Sequence, residues 1–245
     1  MAGNHPVNKR PFAVFDIDGT LIRWQLYHAL ADELAREGHL DAEPYRTVKA
    51  TRMTWKKRAT DSSFRLYEEA LVKLVDDSIQ GIKVNDLNAA CRRVIDEYKD
   101  QVYTYTRDLI EQLRGKNYLL FTISASQQQI VSLIAEHYGF DDSAGTVYAT
   151  RDGVFTGEKD LLLRDRKPEK LRELVAKHGG VWQCSVGVGD SEGDIPMLSV
   201  VEQPVAFNPT RALFDHAKAN DWQIVVERKN VIYTLESRDG SYLLA

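Results

Sequence analysis

Phe12-Ala13-Val14-Phe15-Asp16-Ile17-Asp18-Gly19-Thr20 is the stretch on which the fold turns. Four apolar residues in a row read as a short buried strand. The run stops at an aspartate. In extended backbone, residues two apart point the same way, so Asp16 and Asp18 share a side. Two adjacent carboxylates repel, which raises one pKa or recruits a cation. One of them then suits a metal-bound nucleophile and the other a proton shuttle. The same Asp-x-Asp-Gly string is also a common turn, so its meaning rests on what surrounds it.

Downstream of this strand lies a long helical block, from about Trp24 to Lys99. Leu26, Ala29, Leu30, Leu34 and Ala35 recur at helical spacing, and Gly38 suits a C-cap. Pro44 is expected to open a second helix. Phe64, Leu66, Tyr67, Ala70, Leu71 and Leu74 mark a third. Gly81 breaks it, and Leu87, Ala90, Cys91, Val94 and Ile95 mark a fourth.

The rhythm then changes to alternating helix and strand. Helices are expected over 106–114, 127–138, 168–178, 194–198 and 211–219, and strands over 118–123, 184–188, 204–207 and 223–226. Two strand-like runs around Asp152-Gly153 predict a hairpin. Val231 to Leu235 and Ser241 to Leu244, joined through Asp239-Gly240, predict a second one, either extending the sheet or forming a dimer contact. Alternation of this kind implies parallel strands with right-handed crossovers, an α/β fold whose ligands bind at the carboxyl ends of the strands. The helical block, residues 22–103, interrupts the alternation right after the first strand and is read as an inserted cap. Residues 1–21 and 104–245 form the Rossmann-like core.

Four strand ends carry groups suited to chemistry. Asp16 and Asp18 stand at the first. The second ends Ile123-Ser124-Ala125-Ser126 ahead of a helix, where hydroxyls and free N–H groups suit an anion such as phosphate, or simply cap the helix. Lys167, just before the helix opened by Pro168, suits a phosphate counter-charge, or else is a solvated lysine in the run Arg164-Asp165-Arg166-Lys167. Gly189-Asp190-Ser191-Glu192-Gly193-Asp194 sets carboxylates at i and i+4 around glycines. That pattern suits a hard cation such as Mg²⁺, or an acidic helix N-terminus. Each feature has an ordinary structural reading. Their joint occurrence, in this order and each at a strand end, does not.

These residues resemble the haloacid dehalogenase (HAD) superfamily, and within it the phosphoserine-phosphatase-like subfamily IB with a helical C1-type cap. The resemblance runs from about Pro11 to Val226. Asp16-Ile17-Asp18-Gly19-Thr20 matches the family's first motif, Ser124 the second, Lys167 the third, and Gly189-Asp190 through Asp194 the fourth. The resemblance implies a Mg²⁺-dependent phosphatase in which Asp16 forms an aspartyl phosphate and Asp18 is the acid and base. Mg²⁺ would be held by Asp16, the backbone carbonyl of Asp18 and Asp190, with Asp194 as a further ligand or support. Ser124, Ala125 and Lys167 would hold phosphoryl oxygens, and Thr20 would orient Asp18. A phosphotransferase or mutase, or a non-catalytic phosphate-binding module, are the other functions such a chain can carry.

Two departures bear on substrate. Phosphoserine phosphatases carry a glutamate where this chain has Gln25, and a cap arginine where it has Leu71, so phosphoserine is not expected as the main substrate. The cap segment Arg52-Met53-Thr54-Trp55-Lys56-Lys57-Arg58 is basic and aromatic, which suits an anionic substrate or a solvated helix face. Trp24 and Tyr27 are candidates for lining the pocket. His28, His39, His137, His178 and His216 read as surface residues, His5 as part of a disordered tail, and Cys184 as a small buried strand residue.

Composition sets outer bounds. The 245 residues are 43% hydrophobic and 28% charged with a formal net charge of −4, so no basic nucleic-acid footprint is present. The two cysteines have no metal-ligand spacing, which favours a reducing, cytoplasmic setting. No apolar run approaches the ~20 residues that span a bilayer. The expected partner is a small phosphorylated metabolite, bound by a monomer or homodimer.

Overall fold

The computed structural model describes residues 9–57, 60, 63–163, 165–238 and 241–244. His5, Arg58, Arg164 and the Asp239-Gly240 turn lie outside the described residues. Among the described residues the strands form one nine-stranded sheet in the order β4-β3-β2-β1-β5-β6-β7-β8-β9. β1 is Pro11–Phe15, β2 Leu119–Gln127, β3 Asp142–Arg151, β4 Val154–Leu161 and β5 Val181–Gly189. β6 is Gln203–Phe207, β7 Gln223–Arg228, β8 Val231–Arg238 and β9 Ser241–Leu244. The central pairs are parallel, from β3 through β7. β4, β8 and β9 add antiparallel edges, so the C-terminal hairpin extends the sheet.

The β1 sequence is apolar throughout because the strand is covered on both faces. Phe12 and Val14 pack with Leu171, Leu174 and Val175 of α7 (Lys167–His178), with α8 (Ile195–Leu198), and with Leu213 and Ala217 of α9 (Arg211–Ala219). Ala13 and Phe15 pack with Ile110 and Leu113 of α5 (Thr104–Gly115), and with Ile130, Val131 and Ile134 of α6 (Gln128–Tyr138). From β1 the chain winds to one edge through β2–β4, then returns to build the other from β5. The order therefore reverses beside β1, where open α/β sheets present their ligand crevice.

Between β1 and α5 the chain forms α1 (Leu26–Arg36), α2 (Ala42–Lys56), α3 (Ser63–Ser78) and α4 (Val84–Tyr98). α2 begins two residues before Pro44, which sits in the first turn, where a missing N–H costs nothing. Leu71 and Tyr67 of α3 face the apolar interior, while Leu66 is exposed. The two strands of chain leading into and out of this insert run side by side. Arg23 N–H donates to Gln101 O at 2.7 Å, and Tyr103 N–H donates to Leu21 O at 3.0 Å.

Glu227 at the end of β7 joins this crossing to the sheet. Its buried carboxylate accepts the N–H groups of Thr104 (3.1 Å) and Tyr105 (2.8 Å) at the start of α5, and pairs with Arg23. The β3–β4 hairpin turns at Asp152-Gly153, both with positive φ, as the sequence indicates for a tight turn. It also reaches the insert. Gly81 N–H donates to Phe155 O, Phe155 N–H to Ile82 O, and Val84 N–H to Gly153 O, at 2.9–3.0 Å. Asp76 of α3 accepts from Tyr148 (2.6 Å) and Lys159 (2.7 Å).

Several local expectations are corrected. β2 continues four residues past Ile123, so the Ser124-Ala125-Ser126 segment is strand rather than the loop after it. Cys184 is exposed with φ +60°. The β1–β5 register shifts between Pro11 and Ala13, and this irregularity turns the thiol outward. His28 is buried among Trp55, Phe64 and Tyr67 rather than at the surface. Arg52 and Trp55 likewise turn inward, while Met53, Lys56 and Lys57 are exposed.

Two predictions follow from this packing. Glu227→Ala removes the acceptor for two helix N–H groups and a guanidinium, and is expected to destabilise the protein by about 3 kcal/mol in denaturant unfolding, with Glu227→Gln milder. Burial, and then the nearby Arg52 charge, push the His28 pKa from 6.5 down to about 3. Below pH 6.5 the unfolded chain binds a proton here that the folded chain refuses, so stability falls as pH drops towards 3. At pH 5 the loss is about 2 kcal/mol, and His28→Gln should flatten that slope.

Candidate active site

β1 and β5 lie side by side, and the site grows from their carboxyl ends. Asp16 N–H donates to Val188 O at 3.0 Å, which ties the first acidic residue to the strand that delivers Asp190. The chain then coils tightly. The N–H groups of Thr20, Leu21 and Ile22 converge on the carbonyl of Ile17. Gly19, at φ +84°, lies at the turn, and a Cβ there would stand 2.2 Å from Asp190 Oδ2. Only glycine admits both that conformation and that approach.

Asp16, Asp190 and Asp194 present carboxylate oxygens within 4.8 Å of one another. Lys167, buried as the first residue of α7, donates to Asp16 at 2.8 Å and to Asp194 at 2.6 Å. It is therefore no solvated loop lysine. Asp194 is fully enclosed. Its Oδ2 accepts from the N–H of Asp190 (3.1 Å), the N–H of Ser191 (3.0 Å) and the Ser191 hydroxyl (3.1 Å). This carboxylate braces the loop as well as lining the cluster. A Cβ at Gly189 would fall 2.6 Å from Asp194, so that glycine lets the brace close.

Asp18 occupies a separate position beside the cluster. One oxygen accepts from Leu26 N–H at 2.6 Å, at the start of α1, and the other from the Ser126 hydroxyl at 2.7 Å. Ser124 Oγ in turn accepts from Ser126 N–H at 3.1 Å. Thr20 does not reach Asp18. Its hydroxyl lies 3.5 Å from Asp190, and its carbonyl accepts from Thr106 at 2.9 Å. Leu26 and Ser126, rather than Thr20, orient Asp18. The sequence offers Ser126 as an anion-binding or helix-capping hydroxyl and not as a partner of Asp18, although period-two alternation places it on the same side of the strand as Ser124. The Ala125 carbonyl is engaged by Thr146 at 2.7 Å.

The electrostatics are one-sided. Among the described residues four carboxylates, Asp16, Asp18, Asp190 and Asp194, share one ammonium. Burial raises Asp16 to about 7, with Lys167 opposing and Asp194 and Asp18 adding to the rise. Burial and then Asp194 and Asp16 hold Asp190 well above the ordinary carboxylate range. Burial also raises Asp18, against its hydrogen bonds to Ser126 and Leu26. An enclosed set of hard oxygen donors with excess negative charge fits a small divalent cation such as Mg²⁺.

A sequence model of the haloacid dehalogenase-like hydrolases matches residues 13–199, from β1 through the Asp190 loop. The chain belongs to this family. The phosphoserine phosphatase SerB1 of Mycobacterium tuberculosis is 30% identical over 149 residues, 60% of this chain and 48% of that protein. This chain thus spans about half the length of that relative. The histidinol-phosphatase of Neisseria meningitidis is 26% identical over 228 residues, 87% of this chain and 97% of that protein. In three dimensions, the chain superposes on a phosphoserine phosphatase solved as a phospho-aspartyl intermediate analogue. The TM-score is 0.62 with 22% identity, covering 91% of this chain and 96% of the other. The family fold, a parallel sheet between helical layers with a helical insert after β1, is the one described above.

The acidic cluster makes a direct prediction about metal. Millimolar Mg²⁺, at ~100 times its Kd, should stabilise the protein by about 2.7 kcal/mol, a rise in melting temperature of roughly 5–10 °C. Asp190→Asn should lose that rise, and EDTA should reverse it. A melting curve indifferent to Mg²⁺ in the wild-type protein would count against the cluster as a cation site.

Proposed function

We propose that this chain is a Mg²⁺-dependent phosphomonoesterase that acts on a small phosphorylated metabolite through an aspartyl phosphate at Asp16. The observation that carries the reading is the division of labour between two neighbouring carboxylates. Asp16 lies in the acidic cluster against Lys167, and Asp18 is held apart by Leu26 and Ser126. Relatives named phosphoserine phosphatase and histidinol-phosphatase support the reaction class.

In this mechanism a carboxylate oxygen of Asp16 attacks phosphorus as the bond to the alcohol oxygen breaks. Asp18, whose raised pKa favours its protonated form, gives its proton to the departing alkoxide. Water then attacks the acyl phosphate while Asp18 takes a proton from it, which frees phosphate and restores Asp16. Lys167, Ser124 and the backbone at Ala125 hold the transferring oxygens. Asp16, Asp190 and Asp194, together with the Asp18 carbonyl, would hold Mg²⁺. Its charge offsets the repulsion between an anionic nucleophile and an anionic ester.

In this reading residues 1–21 and 104–245 are the catalytic core, and residues 22–103 are the cap that chooses the alcohol. Gln25 and the buried Leu71 supply no charge for an amino acid, which argues against phosphoserine as the main substrate. A cytoplasmic setting fits two unpaired cysteines, Cys91 and Cys184. No described helix is long and apolar enough to cross a membrane.

Asp16→Asn is expected to abolish Mg²⁺-dependent phosphate release from a metabolite panel. Asp18→Asn is expected to slow turnover by ~100-fold or more, in line with general acid–base contributions, while still accepting beryllium fluoride at Asp16. Near-normal turnover by Asp16→Asn would end this assignment.

A further inference from the structure

The insert contains a buried charge that the chemistry above leaves unused. Trp24, His28 and Asp32 recur every four residues and so line one side of α1 and its lead-in. Arg52 of α2 lies along that side. Its Nη1 donates to Asp32 at 2.8 Å, and its guanidinium carbon is 5.5 Å from the centre of the Trp24 ring. Arg52 is only 8% exposed. Its Nε is buried without a hydrogen-bond partner among the described residues, and so is His28 Nδ1. Buried N–H groups are almost always paired, and an unpaired one on a charged group is costly. The Arg52 Nε–H is such a group, and with the unpartnered ring nitrogen of neutral His28 beside it, both walled by Trp24, Trp55 and Tyr67, it points to a partner from outside the chain.

Position and charge narrow that partner. Trp24 stands two residues before Leu26, whose N–H holds Asp18 at 2.6 Å, so Arg52 overlies the segment that leads out of the reaction centre. Asp32 is shared by Arg52, by the Tyr45 hydroxyl at 2.5 Å and by Lys49 at 3.9 Å. Among the described residues two cations therefore answer this one carboxylate, which leaves positive charge over. We infer that Arg52 reads the alcohol portion of the substrate, its Nε–H donating to a second oxyanion carried there. This rests on the phosphatase reading and makes the substrate a phosphomonoester with a further carboxylate or phosphate. Asp32 is the brace that fixes the guanidinium. Trp24 supports its face.

The test compares kcat/KM of the purified chain with Mg²⁺ on four esters. p-Nitrophenyl phosphate and glycerol 3-phosphate have no second oxyanion, 3-phosphoglycerate has a carboxylate, and fructose 1,6-bisphosphate has a second phosphate. The wild-type protein is expected to prefer one oxyanion-bearing ester over glycerol 3-phosphate by about tenfold or more, the size of one charged hydrogen bond. The ester preferred tells carboxylate from phosphate. Arg52→Gln should erase that preference through KM. Arg52→Lys keeps the charge and the pairing with Asp32 but has no Nε–H, so it should erase most of the preference even if Arg52→Gln does not fold. No preference in the wild-type protein, or variants that depress all four esters by one factor, would overturn the inference and leave Arg52 as a packing brace. A wild-type protein inactive on every ester would instead sink the phosphatase reading itself.

Discussion

The arrangement hangs on the ammonium of Lys167, which lies between Asp16 and Asp194 in a largely buried pocket. Asp18 and Asp190 stand beside it, so the carboxylates outnumber the cation. Buried charges of one sign are tolerated only where partners, protons or a metal offset them. The fold supplies part of that offset through backbone donors. Asp194 accepts the N–H groups of Asp190 and Ser191, and Asp18 accepts that of Leu26. What remains is a deficit of positive charge at the mouth of the β1–β5 crevice, which is the condition a divalent cation would answer.

The insert is tied into this centre at both ends. Leu26, at the first turn of α1, holds Asp18, so the insert and this carboxylate share a contact. Glu227 ties the crossing of the two connecting strands of chain to the end of β7. On the far side, Gly81, Ile82 and Val84 hydrogen-bond the β3–β4 hairpin. Any movement of the helices relative to the sheet must therefore carry this hairpin or break its hydrogen bonds. The placement of the insert and the orientation of Asp18 are mechanically linked.

Much of this was legible in the residue order. The apolar run Phe12–Phe15 had to be a buried strand, and its two-sided burial explains why no polar residue interrupts it. Asp152-Gly153 announced its turn because those residue types tolerate positive φ, and Gly139 and Gly179 marked helix ends for the same reason. The histidine, arginine and cysteine readings fared less well. His28 looked like a surface residue, and Arg52 like part of either a substrate-facing or a solvated helix face, because helical periodicity locates a face without naming what covers it. The aromatic rings of α2 and α3 bury His28, and Asp32 draws Arg52 inward. Cys184 looked like core until an irregular register turned it out. Ser126 read as an anion-binding or capping hydroxyl, and its pairing with Asp18 was not legible because the two lie 108 positions apart.

Local sequence, then, determined the elements, their alternation, the place of the insert and the identity of the acidic and basic residues, since backbone preference and apolar spacing act over a few positions. Tertiary structure alone decided what surrounds each of the two neighbouring carboxylates. Asp16 and Asp18 are the same residue type two positions apart. Only the approach of Lys167 to one, and of Leu26 and Ser126 to the other, makes them different, because charge and hydrogen bonding depend on distance through space and not along the chain.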